Sequence, residues 1–240
     1  MKSTNWKDVW ATRSFNSDSV NDTSPLDALI KADGFDTGMG DYSVTQWWEL
    51  TKHISERLSV SRRHSLLEVG CGSGAFLYCI RKLTQCSVTG IDYSASLIEI
   101  ARKYVSGKFV VSDAKVLPFS KQCFDFVISH SVFQYFPSKE YANNVLSEIY
   151  RVMKTGGKGC LMDLNDKCCE KSYYESRRIL YKCPEEYDAK YQGLNHLFFD
   201  KDDFVRSLQK QGFSNVQLFP HCVPEYLNSR FRFNLTFERI

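Results

Sequence analysis

From residue 65 onward, short apolar segments of the sequence alternate with amphipathic segments of helical period. The short segments are typical of buried strands, and the amphipathic segments predict helices. Strands that are joined through helices pair in parallel, with right-handed crossovers that place helices on both faces of one sheet. The alternation therefore predicts an α/β fold. The predicted strands are residues 65–70, 87–92, 108–114, 123–132, 158–164, 213–219 and 229–239.

The rest of the sequence reads as flanking regions and an insertion within one domain. Its 240 residues, of which 43% are hydrophobic, suffice for one good core. Residues 1–60 are predicted to form a helical N-terminal cap, in which Ser24-Pro25 and the capping-box residue Ser43 each begin a helix. The other regions are the strand–helix core (61–164), a lid-like polar insertion (165–199) and a C-terminal helix with strands (200–240).

A glycine-rich stretch, EVGCGSG, ends the first predicted strand. Gly70, Gly72 and Gly74 alternate with small residues, which is typical of a nucleotide-type site at a strand-to-helix turn. A P-loop is excluded, because no Gly-Lys-Ser/Thr follows. A dinucleotide fingerprint would have its third glycine at the position of Ala75, so the spacing disfavours a pyrophosphate cofactor without excluding it. Asp92 ends the second strand and could accept both ribose hydroxyls of either kind of cofactor.

Further motifs follow in order along the chain. Asp113-Ala114 ends the third strand, Leu-Pro-Phe at 117–119 precedes Phe124-Asp125 in the fourth, and Gly156-Gly157 leads into the fifth. With EVGCGSG and GIDYS, these motifs resemble those of class I, S-adenosylmethionine (SAM)-dependent methyltransferases, and more narrowly their small-molecule branch, which includes quinone and sterol methyltransferases. The resemblance covers about residues 60–163.

The resemblance also implies an architecture. Class I methyltransferases are Rossmann-like three-layer α/β sandwiches with a mostly parallel, seven-stranded sheet and an antiparallel last strand. In this chain the fold would carry a helical N-terminal extension and an insertion after the fifth strand. The core of residues 61–164 would bind SAM.

The resemblance assigns the cofactor-binding residues to the ends of the first four strands. Residues 68–72 would line the methionine end of SAM, and Asp92 would hold the ribose. Tyr93 and Asp113-Ala114 would bind the adenine, and Ser129-His130 would lie near the sulfonium. The charge agrees, because the glycine-rich stretch carries an acid and no Lys or Arg, as expected for a cation and not for a bare phosphate. The full set is Glu68, Gly70, Cys71, Gly72, Asp92, Tyr93, Asp113, Ala114, Ser129 and His130.

The acceptor molecule is expected beyond the carboxyl ends of the strands. Tyr42 and Tyr135 belong to segments that can cover this edge, and both are candidate substrate contacts. The start of an antiparallel last strand lies at the same edge, and period-two alternation places Arg230 and Arg232 on one face. This pair is either an anion clamp for a substrate carboxylate or phosphate, or a buried ion pair with acids of the insertion. Arg177-Arg178 is expected on a solvated face.

His130 and His196 are the candidate catalytic residues. A phenol, carboxylate or neutral amine needs little help as a methyl acceptor, whereas an unactivated hydroxyl needs a general base, which a histidine can supply. The sequence therefore predicts methyl transfer from SAM to an O or N atom of a small, partly polar and possibly anionic molecule. The alternatives are a SAM-binding module without turnover and, disfavoured by the glycine spacing, an NAD-dependent oxidoreductase.

Composition narrows the choice of partners and compartment. The formal net charge is +3 and no basic block occurs, so no nucleic-acid partner is expected. Nine scattered cysteines lack metal-ligand spacing, which predicts no metal site and suits a reducing cytoplasm. No apolar stretch approaches the roughly 18 residues that a membrane span needs, so a cytoplasmic protein without membrane attachment is predicted. It is expected to be a monomer or homodimer.

Overall fold

A computed structural model of the protein describes residues 5–13, 24–36 and 38–240. The predicted N-terminal cap also includes residues 1–4, 14–23 and 37, which lie outside the described residues. The strands are β1 Ser65–Val69, β2 Ser87–Asp92, β3 Lys108–Val111, β4 Phe124–His130, β5 Met153–Asn165, β6 Phe213–Pro220 and β7 Arg232–Arg239. The α-helices within the described residues are α1 Trp6–Ala11, α2 Pro25–Ala32, α3 Val44–Leu58, α4 Ala75–Thr84, α5 Ala95–Tyr104, α6 Lys139–Val152, α7 Glu170–Arg178, α8 Pro184–Lys190 and α9 Lys201–Lys210.

The strands form one seven-stranded sheet in the order β3-β2-β1-β4-β5-β7-β6. Strands β1 to β5 pair in parallel, whereas β7 is antiparallel to both of its neighbours, β5 and β6. The predicted fold class, a mostly parallel sheet with an antiparallel last strand, is thus confirmed. The chain order reverses at β1, which lies between β2 and β4. A crevice beyond the carboxyl ends of β1 and β4 is the usual ligand site at such a reversal.

Helices cover both faces of the sheet because successive strand residues point to opposite sides. Leu66, Val88 and Ile128 pack on one face against buried residues of α3, α4 and α5. Leu67 and Val127 pack on the other face against buried residues of α6 and α9. The result is a three-layer sandwich with a hydrophobic core on each side of the sheet.

The predicted helix starts agree with the structure. The Ser24 side chain caps α2, and Ser43 and Gln46 form both bonds of a capping box ahead of α3. The Asp200 side chain caps α9 by accepting a hydrogen bond from the amide of Asp203 (3.0 Å). These caps satisfy amide groups that have no partner within their own helix.

Besides the last strand, three strands have a boundary that differs from the prediction by two residues or more. β5 starts at Met153, not at residue 158, because Met153 pairs with Phe124 ahead of a register shift. β3 ends at Val111, so residues 112–114 lie in the loop beyond it, and β4 ends at His130, within the predicted strand. The sequence pattern located these strands but not the residues at which their pairing begins or ends.

The start of the last strand is also different, and the difference changes a predicted site. Residues Ser229–Phe231 form a 3-10 turn, in which the Phe231 amide donates to the Asn228 carbonyl (2.9 Å). β7 therefore begins at Arg232, which is buried, while Arg230 is exposed on the turn. The prediction that the two arginines share one strand face is wrong.

Two glycines with the same backbone conformation give a test of the packing of the glycine-rich turn. Gly70 has φ +75, and a Cβ there would lie 2.4 Å from Cγ2 of Val132. Gly156 has φ +76, and a Cβ there would meet nothing within 4 Å. We expect Gly156→Ala to lower the free energy of unfolding by about 1 kcal/mol through backbone strain. Gly70→Ala should cost about 2–4 kcal/mol because overpacking adds to that strain. Urea unfolding measures both, and equal losses would contradict the close packing.

Candidate functional site

A cavity of about 740 Å³ lies beyond the carboxyl ends of β1, β2 and β4. It brings together most of the residues predicted from the sequence. The predicted residues that line it are Glu68, Gly70, Cys71, Gly72, Asp92, Tyr93, Ala114, His130, Tyr135, His196 and Arg232. The predicted residues outside its lining are Tyr42, Asp113, Ser129 and Arg230.

The glycine-rich turn after β1 is held by the last two residues of β2. The amides of Gly70 and Cys71 donate to the carbonyl oxygen of Ile91 (2.8 and 2.9 Å). The Asp92 carboxylate accepts from the amides of Gly72 (3.0 Å) and Ser94 (2.9 Å), so it joins the two loops. Burial raises the pKa of Asp92. Asp92, which the sequence analysis assigned to ligand binding, therefore also connects the loops after β1 and β2.

A second carboxylate, which the sequence analysis missed, holds the same turn from the N-terminal region. Asp33 follows α2, and its Oδ1 accepts from the amide of Ser73 (2.6 Å). The Ser73 hydroxyl donates to the Leu29 carbonyl of the same helix (2.9 Å). Asp33 lines the cavity, and burial raises its pKa to about 7. In the sequence, the only local sign of this role was that Asp33 precedes Gly34 at the end of a helix.

The third acid of this end of the cavity is Glu68, the predicted acid of β1. It is 2% exposed, and its Oε2 has no hydrogen-bond partner in the described part of the chain. Burial raises its pKa well above the usual range. With Asp33 and Asp92, it makes this the acidic end of the cavity. Three buried carboxyl groups, one with an unpartnered oxygen, fit a cationic ligand, because a nearby cation favours their ionised form, whereas a pyrophosphate would oppose it.

The residues predicted to bind adenine are only partly assembled. Tyr93 and Ala114 line the cavity, but the Asp113 carboxylate does not. Its oxygens accept from the Tyr141 hydroxyl and from the Lys7 ammonium, 3.3 Å away. Asp113 is thus engaged by α1 and α6 and not directed into the cavity.

His130, the last residue of β4, lines the cavity. Its ring packs among aromatic side chains, with centroids 5.2 Å from Trp47 and 5.5 Å from Phe35. The Nε2 atom is buried and has no hydrogen-bond partner among the described residues. Burial lowers the pKa of His130 to about 4, so the ring is neutral near pH 7. The neighbouring Ser129 hydroxyl donates to the Val69 carbonyl (2.8 Å) and does not line the cavity, contrary to expectation.

The far end of the cavity is lined with aromatic rings from α1, the loop after β4 and the insertion. The His196 ring lies 4.6 Å from the Trp6 ring and 5.4 Å from the Tyr135 ring. Its Nδ1 is 3.2 Å from the hydroxyl of Tyr173. Desolvation lowers the pKa of His196 well below the usual range. Trp6 and Trp10 of α1 both line this aromatic end.

Arg232 reaches the aromatic end from the start of β7 and is already paired. Its Nε lies 3.4 Å from Oδ1 of Asp163, and Nη1 donates to the Asn165 side chain. Asp163, at φ +61 where the β5–β7 register shifts, also accepts from the Ser131 hydroxyl (2.6 Å). Arg232 thus has the ion pair that the sequence analysis offered as its structural alternative, but with an acid of β5 and not of the insertion.

Tyr42, a predicted substrate contact, lies behind the aromatic end. Its hydroxyl is 2.9 Å from Nε2 of His221, and its ring stacks on Tyr226 with centroids 4.0 Å apart. Tyr226 lines the cavity in its place. Among the described residues, no group of three or more His, Cys, Asp and Glu side chains could hold a metal ion. No helix of the described chain has the length and apolar character to cross a bilayer.

Comparison with known proteins identifies the cofactor chemistry of this cavity. Residues 67–161 match the family model described as "Methyltransferase domain". The chain is 30% identical over 122 residues to Methyltransferase GfsG of Streptomyces halstedii, covering 48% of this chain and 43% of that protein. It is 28% identical over 143 residues to Sterol 4-C-methyltransferase strm-1 of Caenorhabditis elegans, covering 55% and 42%.

A further relative is named as a tRNA methyltransferase, and a solved structure shares the fold. The chain is 36% identical over 92 residues to Probable tRNA methyltransferase 9B of Bos taurus, covering 38% of this chain and 19% of that protein. The chain spans less than half the length of these three relatives. The crystal structure of PH0226 protein from Pyrococcus horikoshii OT3 superposes with a TM-score of 0.67 at 19% identity, covering 88% of this chain and 98% of that one.

Residues 67–161 therefore match a methyltransferase domain within a Rossmann-like fold, and the cofactor of such domains is SAM. The acidic end of the cavity fits this cofactor, because the unpartnered Oε2 of Glu68 and two further carboxylates can bind a cation. The NAD-dependent alternative does not fit, since a pyrophosphate would face the same acids. The names of the relatives include a sterol and a tRNA acceptor, so the family relationship defines the cofactor and not the acceptor.

Asp33 predicts a pH dependence of SAM binding. Its pKa of about 7 means that the carboxyl is largely neutral at pH 6 and largely ionised at pH 8. Because SAM is cationic, its dissociation constant should fall by up to about tenfold over this range. Asp33→Asn should flatten the dependence, whereas Asp36→Asn, on the exposed loop outside the cavity, should retain it. Calorimetry at several pH values tests this, and the same slope in wild type and Asp33→Asn would contradict it.

Proposed function

We propose that this chain transfers the methyl group of SAM to an oxygen or nitrogen atom of a small metabolite. One observation carries the proposal: the cavity that is lined by the three acids and His130 is also lined by aromatic side chains of α1, the loop after β4 and the insertion. Trp6 covers this aromatic end, and its indole donates to the Asn195 carbonyl of the insertion (3.0 Å). The cavity volume of about 740 Å³ is typical of a site for a small molecule.

A tRNA acceptor fits these features less well. The resemblance to the tRNA methyltransferase covers 92 residues, 38% of this chain. The formal net charge is only +3, and a nucleic-acid backbone is bound through clustered Lys and Arg side chains. The bond between Trp6 and the insertion would also have to break before a nucleotide of tRNA could enter the aromatic end.

The chain's residues would contribute to methyl transfer in three ways. When bound, SAM supplies an electrophilic methyl group to a nucleophilic atom of the acceptor. Glu68, Asp33 and Asp92 would bind and orient the cationic cofactor. The aromatic end would exclude water and align the acceptor, which is the main catalytic requirement of such a displacement. The neutral His130 would accept a proton at its unpartnered Nε2 when the acceptor is a hydroxyl.

Methyl-tritiated SAM distinguishes the proposal from its alternatives. The protein is incubated with a small-molecule metabolite extract and, separately, with total tRNA, and the label is followed in each. Label in small molecules supports the proposal, and label in tRNA alone contradicts it. Binding of SAM by calorimetry without label in either fraction would identify a binding module without turnover.

The assignment of His130 as proton acceptor predicts an unusual pH profile. With a pKa of about 4, the imidazole stays neutral and able to accept a proton from pH 6 to 8, so kcat should not show a histidine limb there. Its acidic limb should appear only near pH 4. His130→Gln should lower kcat about 100-fold and change SAM affinity only a few-fold.

A matched control for His130 is His221, which is also buried but contacts Tyr42 and does not line the cavity. His221→Gln should retain most of kcat, with thermal unfolding as a check on stability. An acidic limb that is identical in wild type and His130→Gln would move the proton-accepting role to His196.

A lid formed by α1 and the insertion (165–199) predicts a change in amide exchange. Helix α1 contains no buried residue, so its amides should exchange quickly in the free protein. S-adenosylhomocysteine should slow exchange in α1 and α7, which contribute residues to the cavity lining. Helix α9 contributes none and serves as the control. Equal protection of α1 with and without ligand would contradict the lid.

A further inference from the structure

Arg177, expected on a solvated face with Arg178, instead lines the aromatic end of the cavity. Its guanidinium carbon lies 3.6 Å from the centroid of the Tyr173 ring. The guanidinium lies over the face of the ring, which leaves uncovered the edges at which its five N–H groups donate. The adjacent Arg178 points elsewhere and pairs with Asp188 at the surface (2.9 Å).

The partners of Arg177 are neutral. Its Nη2 donates to Oδ1 of Asn228 (2.9 Å), and Nη1 lies 3.8 Å from the thioether sulfur of Met39. No carboxylate of the described residues lies within ion-pair distance of it. Arg232, the other arginine of this end, differs because Asp163 lies 3.4 Å from its Nε. The aromatic end thus holds one guanidinium whose charge is not neutralised by the chain.

Charge is therefore separated along the cavity. Asp33, Glu68 and Asp92 lie at the acidic end, and Arg177 lies at the aromatic end among Tyr173 and His196. An anionic group on the acceptor would be repelled from the acids and attracted to Arg177, which sets the direction in which the acceptor enters. The nearby rings offer flat apolar surfaces for the body of the same molecule.

We propose that the acceptor is a small carboxylic acid with a planar apolar body, and that Arg177 binds its carboxylate; this inference rests on the proposed methyl transfer. A guanidinium donates two parallel hydrogen bonds to a carboxylate, and its position over the Tyr173 ring leaves the donating edges uncovered. The single positive charge of Arg177 can neutralise a monoanion such as a carboxylate, whereas a phosphate dianion would keep one negative charge without a partner. The methylated atom lies on the opposite side of the body, toward His130.

The test compares two probes that share a shape and differ in charge. Binding of 4-fluorobenzoate and of 4-fluorobenzamide to the protein with S-adenosylhomocysteine is measured by ¹⁹F NMR line width. Wild type and Arg178→Gln should bind the benzoate at least about tenfold more tightly than the benzamide. Arg177→Gln should lose this preference, and Arg177→Lys, which keeps the charge but not the planar fork, should retain part of it. Equal binding of the two probes to wild type, or a preference that survives Arg177→Gln, overturns the inference.

Further readouts keep this inference apart from the proposed function and from loss of fold. Thermal unfolding of each variant shows whether Arg177→Gln is folded, and Arg177→Lys serves if it is not. Benzoate selectivity without methyl transfer to any extract component would refute the proposed function and retain the carboxylate site. Tritiated products whose acceptors are all neutral or cationic would retain methyl transfer and overturn the carboxylate assignment.

Discussion

Two carboxylates hold the backbone of the glycine-rich turn, and both the fold and the cofactor site depend on these bonds. Asp92 binds the Gly72 amide from β2, and Asp33 binds the Ser73 amide from the end of α2. A Cβ at Gly72 would lie 2.3 Å from Oδ1 of Asp33, so the approach requires glycine. The same negative charges make this end of the cavity suited to a cation. Any change that removes one acid therefore alters the shape of the turn and its charge together.

The cavity is lined by two unlike environments. His130 lies among aromatic rings and is kept neutral by burial. It therefore adds no charge of its own to a cavity that is lined by three acids and by Arg177. Alignment and proton acceptance are favoured where water is excluded. In the proposed function the acids would bind the cofactor and Arg177 the acceptor, so that no charged residue would serve both.

The sequence predicted the parts that local patterns determine. Strand alternation and N-caps such as Ser43 follow from short-range physics, and Glu68 and Asp92 lie at strand ends that topology brings together. Asp33 and Arg177 were missed because they come from helices outside the alternating core, whose docking depends on tertiary contacts. The pairing of Arg230 with Arg232 failed for a local reason, since the residues before β7 form a 3-10 turn and not an extended strand.

Helix α1 makes contacts near both ends of the cavity. The Lys7 ammonium lies 3.3 Å from the Asp113 carboxylate beside the acidic end, and the Trp6 indole donates to the Asn195 carbonyl of the insertion beside the aromatic end. The helix is only six residues long and buries none of them, so these few contacts hold it in place. We expect molecules that enter or leave beneath α1 to require its undocking. One motion of the chain would then limit both the binding of the acceptor and the release of the two products, independently of the rate of methyl transfer.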